Sequence, residues 1–110
     1  MTILDDLVAE TREFARQRDW SVYHTPKNLA MAVASEAGEL LAELRWLSDE
    51  ASRLSTISDD RLEAVRLEMA DVFIFLLRMA DVLEVDLARA VRDKLALNER
   101  RFPRPEPSTH

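Results

Sequence analysis

Two pairs of acidic residues are the most informative feature of this 110-residue sequence. Glu36 and Glu39 stand three residues apart, and Glu68 and Asp71 repeat that spacing after the intervening residues 40–67. Acids at this spacing share one side of an α-helix, which is usually a solvated side. Here both pairs interrupt runs of apolar residues at helical spacing, so we expect their carboxylates at buried faces.

The first pair lies at the margin of an apolar stripe. At about 100° per residue, with Leu29 set at zero, Glu36 falls at about −20° and Glu39 at about −80°. The stripe itself occupies about 0° to +80° on the same wheel. It consists of Leu29, Val33, Ala37, Leu40, Leu44 and Leu47. We therefore predict Glu36 at the edge of a buried face and Glu39 on its flank.

The second pair is more deeply placed. Apolar side chains lie within about 60° of Glu68 on both sides, with Asp71 at about −60°. These neighbours are Val65, Val72, Phe75, Met79 and Leu83. A buried ionised carboxylate is costly unless it is paired or coordinated, and several together would repel until one took up a proton. No cluster of arginines occupies the same stripes, so a bound cation is the economical solution.

The ligand types indicate which cation this would be. An all-oxygen set without histidine or cysteine favours Mg²⁺, with Mn²⁺ as a substitute, over zinc or copper. It also argues against a di-iron bundle, which needs a histidine three residues after a glutamate. A metal held by a few carboxylates suits phosphate chemistry, because it neutralises a polyphosphate while one carboxylate activates water.

The elements that must position these acids are four helices, predicted at about 3–18, 26–47, 60–83 and 87–101. Thr2, Thr25 and Asp86 are expected to cap three of them, and Asp60 with Glu63 forms a possible capping box for the other. One glycine and few prolines before residue 103 leave little turn chemistry for strands. We predict an all-α, four-helix-bundle domain of residues 1–103 and a loose tail of residues 104–110.

Composition excludes several classes of function. The formal net charge of −6 argues against a nucleic-acid partner, and the absence of cysteine removes disulfides and thiolate sites. The acidic N-terminus does not resemble a secretory signal, and no apolar run reaches the roughly 20 residues that span a bilayer. We therefore expect a cytoplasmic protein without a membrane partner.

Polar and aromatic residues outside the acidic pairs are weaker signals. Lys94 and Asn98 fall on the apolar stripe of the last helix, where a snorkelling lysine and a capping asparagine are the ordinary explanations. In a nucleotide site they would meet phosphate and sugar or base. Trp20, His24 and Trp46 either pack in a core or lid, or form a slot in which a nucleobase stacks.

These residues together resemble a known family, the MazG-like all-α nucleotide pyrophosphohydrolases, and most closely its dCTP pyrophosphatase branch. The resemblance rests on NLAMAVASEAGELLAELRW (28–46) and EMADVFIF (68–75), which carry the Glu-x-x-Glu and Glu-x-x-Asp pairs in order. It extends to RDWSVYHTPKNL (18–29) and KLALNERRFP (94–103), so it covers about residues 18–103. In the dCTP branch a tyrosine often stands where this chain has Phe75.

The resemblance implies a function and a set of roles. It implies Mg²⁺-dependent hydrolysis of the α–β phosphoanhydride of a nucleoside triphosphate, dCTP or a modified pyrimidine triphosphate, for nucleotide-pool sanitation. Glu36, Glu39, Glu68 and Asp71 would bind the metal and form the catalytic set. Independently of the resemblance, we expect Glu39 to be the base, because it lies on the flank of the apolar stripe of its helix. Substrate contacts would come from Trp20, His24, Trp46, Phe75, Lys94, Asn98 and Arg101. The alternative is a non-catalytic helical interaction or regulatory module whose acidic face binds a basic partner.

Self-association is expected on two grounds. The resemblance implies an oligomer, and the third helix is apolar on a second side as well, with Phe73, Ile74 and Leu77 facing away from Glu68. A helix with two apolar sides needs two surfaces to bury them, and a chain of this length offers one core. We therefore predict a homodimer or homotetramer.

Overall fold

The computed structural model describes residues 2–106 and contains four α-helices with a short 3₁₀ helix after the first. They are α1 (Ile3–Gln17), the 3₁₀ helix (Ser21–Tyr23), α2 (Pro26–Leu44), α3 (Asp59–Leu83) and α4 (Leu87–Arg101). Residues 2–106 contain no strand, so the predicted all-α class with four helices is confirmed. The last part of the predicted tail, residues 107–110, lies outside the described residues.

Three of the four predicted helix starts have the expected cap. Thr2 and Asp5 form a reciprocal capping box, and the side chains of Thr25 and Asp86 each accept a hydrogen bond from the backbone three residues on. Such caps satisfy amide groups that the first helical turn leaves unpaired. Pro26 follows Thr25 at the first helical position, where its missing N–H costs nothing.

The capping box predicted at Asp60 is wrong, because the cap of α3 lies two residues earlier, at Ser58. The Ser58 hydroxyl accepts a hydrogen bond from the Arg61 amide at 3.2 Å, while Asp59 and Asp60 already lie in the first turn. Acidic residues there remain favourable, since they face the positive end of the helix dipole. At the end of α2, the helix stops at Leu44 and a turn-rich segment replaces the last predicted residues.

The core lies where α3 packs along α2 on one side and against α1 on another. Leu29 of α2 and Leu77 of α3 are 1% and 2% exposed, and Ala15 and Ala80 are also buried. One charged side chain, Arg78 of α3, shares this burial. Leu77, on the second apolar side of α3, thus belongs to the core.

Helix α4 makes only sparse contact with the rest of the described chain. Val91 and Leu95 on its apolar stripe are 56% and 61% exposed. An open groove of about 500 Å³ separates α4 from α3 and the start of α1. The radius of gyration is 17.8 Å, whereas a compact domain of this length would have about 13 Å. Among the described residues, the apolar stripe of α4 is therefore largely open to solvent.

None of the helices within residues 2–106 is both long enough and apolar enough to cross a bilayer.

Candidate active site

The paired helices α2 and α3 bring three of the four predicted acids together, and Asp71 lies outside this group of three. One carboxylate oxygen each from Glu36, Glu39 and Glu68 lies within 4.8 Å of the others. The first two project from α2 toward the side of α3 that carries the third. Such a separation is small enough for a single cation to contact all three groups.

Burial differs among the four acids. Glu68 and Glu36 are half-buried, while Glu39 and Asp71 are exposed. The Oε2 atom of Glu68 is shielded from solvent and has no hydrogen-bond partner among the described residues. A carboxylate oxygen in that position has lost its water without gaining a protein donor, which is unfavourable. This orphaned oxygen fits a metal ligand.

The electrostatics of the cluster agree with this reading. Burial raises the pKa of Glu68 above its ordinary value, and the charges of Glu39, Asp71, Glu36 and Glu43 raise it further. Burial also raises the pKa of Glu36, with added repulsion from Asp71 and then Glu39. Asp71 therefore belongs electrostatically to the cluster despite its exposure. A divalent cation would remove this repulsion.

A neighbouring acid shows what ordinary pairing looks like here. The Glu43 carboxylate accepts a hydrogen bond from the Arg61 guanidinium at 2.8 Å across the α2–α3 interface. Arginine thus neutralises the acid next along the same side of α2, one turn after Glu39. The residues of the cluster fit a Mg²⁺ or Mn²⁺ ion, since every ligand is a carboxylate oxygen.

An apolar cavity of about 370 Å³ lies toward the other end of α3, between that helix, α1 and the 3₁₀ segment. Three predicted substrate residues, Trp20, His24 and Phe75, meet in its wall. The His24 and Phe75 rings pack edge to face with centroids 6.5 Å apart. Phe75 follows Glu68 by about two helical turns, or about 10 Å along the helix axis. The cavity has the size and aromatic lining of a small-molecule pocket.

Sequence reasoning missed several residues of this wall. Phe14 packs edge to face on Trp20 with centroids 5.8 Å apart, and Arg78 donates a hydrogen bond from Nε to His24 Nδ1 at 3.1 Å. The remaining lining residues are Glu10, Thr11, Ala15 and Ile74. The available signal was Arg78 itself, since a lone arginine inside the apolar run FIFLLRMA must have a partner if it is buried.

The other predicted substrate residues are not gathered at either place. Trp46 is 84% exposed, beside the guanidinium of Arg45. Lys94 and Arg101 are exposed on α4, and Asn98 is half-buried with its backbone carbonyl accepting from the amide of residue 102. Because α4 barely contacts the other helices, one chain does not bring these side chains to the carboxylates.

Comparison with known proteins supports the resemblance. No family model matches the chain. The chain is 37% identical over 100 residues to dCTP pyrophosphatase 1 from Bos taurus and from Homo sapiens. The match covers 91% of this chain, which spans 59% of the length of those relatives. A solved pyrophosphatase from Archaeoglobus fulgidus superposes with a TM-score of 0.85 at 36% identity, covering 94% of this chain and 95% of that one.

The described chain therefore combines an all-α fold with a carboxylate cluster between two paired helices. With the solved pyrophosphatase matched over nearly its whole length, the chain belongs to the MazG-like all-α pyrophosphatases.

Proposed function

We propose that this chain hydrolyses a nucleoside triphosphate at the α–β phosphoanhydride, releasing nucleoside monophosphate and pyrophosphate, with dCTP or a modified pyrimidine triphosphate as the substrate. The observation that carries the proposal is the buried, unpartnered Oε2 of Glu68 among the carboxylates of Glu36 and Glu39. The names of the dCTP pyrophosphatase relatives support the choice of substrate.

Glu36, Glu39, Glu68 and Asp71 would hold Mg²⁺, or Mn²⁺ in its place. The bound ion would neutralise phosphate charge during the reaction. Glu39 is the exposed member of the three-carboxylate group, so it can reach a water molecule and take its proton. Water oxygen then bonds to the α-phosphorus while the bond to the bridging oxygen breaks, and pyrophosphate leaves.

The cavity beside Trp20, His24 and Phe75 would receive the nucleobase. Its aromatic walls offer stacking surfaces, and stacking contributes about 1–3 kcal/mol per base. The separation of about 10 Å along α3 between Phe75 and Glu68 leaves room for the sugar and the phosphates between the two places. In this arrangement α3 sets the distance between the nucleobase and the carboxylates.

Self-association as a homodimer or homotetramer would complete the site. It would cover the exposed stripe of Val91 and Leu95, and it can bring α4 of one copy against the acids of another. Lys94 and Arg101 would then meet phosphate oxygens, and Asn98 the sugar or base. Trp46 remains a predicted base contact that also depends on this assembly.

We further propose nucleotide-pool sanitation in the cytoplasm as the physiological role. The substrate is then a free nucleotide, and neither nucleic acid nor a membrane is needed as a partner. The formal net charge of −6 agrees with a small ligand whose charge is met by a metal and a few cations.

The decisive experiment compares Glu68→Gln with Glu63→Gln, a matched change at an exposed glutamate of the same helix that pairs with Arg66. A panel of canonical and 5-modified triphosphates is assayed with Mg²⁺ for both products. We expect Glu68→Gln to lose nearly all turnover and the stabilisation of the fold by Mg²⁺, while Glu63→Gln retains both.

Two outcomes would count against the proposal. Unchanged turnover in Glu68→Gln would remove this carboxylate from the mechanism. Absence of both hydrolysis and a Mg²⁺-dependent thermal shift in the unaltered protein would favour the helical interaction module instead.

A further inference from the structure

A chain of four polar side chains runs from the surface of α1 into the wall of the cavity. Arg12 of α1 binds the Asp81 carboxylate through Nε and Nη2, and its Nε lies 3.0 Å from each carboxylate oxygen. Asp81 also accepts from Nη1 of Arg78 at 2.7 Å, and Arg78 donates through Nε to His24 Nδ1 at 3.1 Å. The Arg12–Asp81–Arg78–His24 relay therefore ends on a residue that faces the cavity.

Arginine determines the protonation of the histidine that it touches. A guanidinium stays charged at all accessible pH values and has only N–H donors, so the nitrogen opposite Arg78 Nε must act as an acceptor. Nδ1 of His24 therefore carries no proton, and in the neutral ring the proton resides on Nε2. The second nitrogen of the ring is left as a hydrogen-bond donor.

Cross-linking of α1 to α3 does not account for the whole arrangement. The ion pair of Arg12 with Asp81 already joins the two helices, and Arg78 pairs with Asp81 within α3. The additional bond from Arg78 Nε reaches a third segment, just before α2, and fixes one ring of the cavity wall. Arg78 is only 4% exposed, so this contact is made away from competing water.

We propose that Arg78 is a positioning residue that holds His24 neutral, with its proton on Nε2, so that the cavity offers a donor to an acceptor on the base, such as a ring carbonyl or an unprotonated ring nitrogen. The role in substrate binding rests on the proposed function. The relay itself does not, because it is a property of the nucleotide-free protein.

The charged groups around His24 are consistent with a neutral ring. Burial and the charge of Arg78 both lower the pKa of His24 below its ordinary value. Asp81 is engaged by the guanidinium groups of Arg12 and Arg78, and Glu10 of α1 also lines the cavity. A neutral histidine can donate from Nε2 while Nδ1 accepts, whereas a protonated one would direct a second donor at the arginine.

The test uses the full chain carrying His110→Gln, so that His24 is the only histidine seen by NMR. Long-range ¹H–¹⁵N spectra without nucleotide are expected to show a proton on Nε2 and a titration midpoint below that of free histidine. In Arg78→Met the midpoint should rise, and in Arg78→Lys it should stay low because the cation is kept. Arg66→Met, on the exposed part of α3, is the matched control and should change nothing.

Kinetics with dCTP and Mg²⁺ supply the second readout. In Arg78→Met, KM should rise about threefold to tenfold, the effect of one weakened hydrogen bond, with kcat within about twofold. The acid limb of kcat/KM should move to higher pH with the His24 midpoint. Arg78→Lys should restore most of the KM, which a purely structural defect would not do.

Two NMR results would contradict the relay. A proton on Nδ1 in the unaltered protein, or an unchanged His24 midpoint in Arg78→Met, would overturn the relay. If Arg78→Met does not fold, the double variant Arg78→Met/Asp81→Leu is used instead. It removes the same donor and also the Asp81 carboxylate, which would otherwise lose its ion pair with Arg78. If the unaltered protein does not hydrolyse dCTP but the NMR results are as expected, the proposed function is rejected and the relay is retained.

Discussion

Asp81 pairs with Arg12 of α1 across the α1–α3 contact, and its second ion pair, with Arg78 of α3, should contribute strongly to the stability of the fold. The two side chains are 5% and 16% exposed, and both lie on α3 at positions three apart. Asp81→Leu would leave the buried Arg78 guanidinium facing an apolar side chain. Breaking a buried pair on one side costs about 3–5 kcal/mol. Since Asp81 keeps some exposure, we expect about 3 kcal/mol, or a fall in Tm of about 12 °C for a chain of this length.

The same helix supplies a matched control. Arg66 and Glu63 have the same spacing on α3 but are 67% and 56% exposed. Exposed pairs contribute about 0–1 kcal/mol, so Glu63→Leu should be almost silent. The double variant Arg78→Met/Asp81→Leu should recover most of the loss, because replacing both partners removes the uncompensated charge.

The pH dependence gives the sign of the effect. Hydrogen bonds from Arg12, followed by those from Arg78, lower the pKa of Asp81 below its ordinary value, against the opposing effect of burial. The stabilisation is therefore present above the unfolded pKa of about 3.9 and is lost as the pH falls through the folded pKa. The difference between the unaltered protein and Asp81→Leu should thus shrink in acid.

Urea denaturation followed by circular dichroism at fixed protein concentration measures these differences. A cost for Asp81→Leu no larger than that for Glu63→Leu at neutral pH would refute the reasoning, since burial would then have no influence on the pair.

Three further predictions follow from other parts of the molecule. Metal-free protein should lose stability as the pH rises through the raised pKa values of Glu36 and Glu68, and Mg²⁺ should restore that stability. A metal-free Tm that does not fall over this pH range would contradict the repulsion among these carboxylates. Leu29→Ala should cost about 2–5 kcal/mol in urea denaturation, because this side chain is 1% exposed; a cost below about 1 kcal/mol would place it outside the core. Leu95→Asp on the open stripe of α4 should shift the protein toward monomer in sedimentation, while α1–α3 stay helical. An unchanged sedimentation coefficient would show that the interface between copies lies elsewhere.

The helices and the acidic pairs could be read from the sequence because both depend on local geometry. Thr25 followed by Pro26 defines the start of a helix whatever lies around it. Likewise, the spacing of Glu36 and Glu68 within apolar stripes requires that their carboxylates face another helix, and α2 and α3 pack in that way. One period of 3.6 residues accounts for these predictions.

Contacts between distant segments were decided by the tertiary structure alone. Nothing in the spacing of Arg12, His24, Arg78 and Asp81 indicates that they form one relay. Their hydrogen bonds across 69 and 54 residues depend on how α3 packs against α1 and against the segment before α2. The position of α4 is likewise a tertiary property. Its stripe of Leu87, Val91 and Leu95 specifies only that some apolar surface must cover it, and within residues 2–106 Val91 and Leu95 stay more than half exposed.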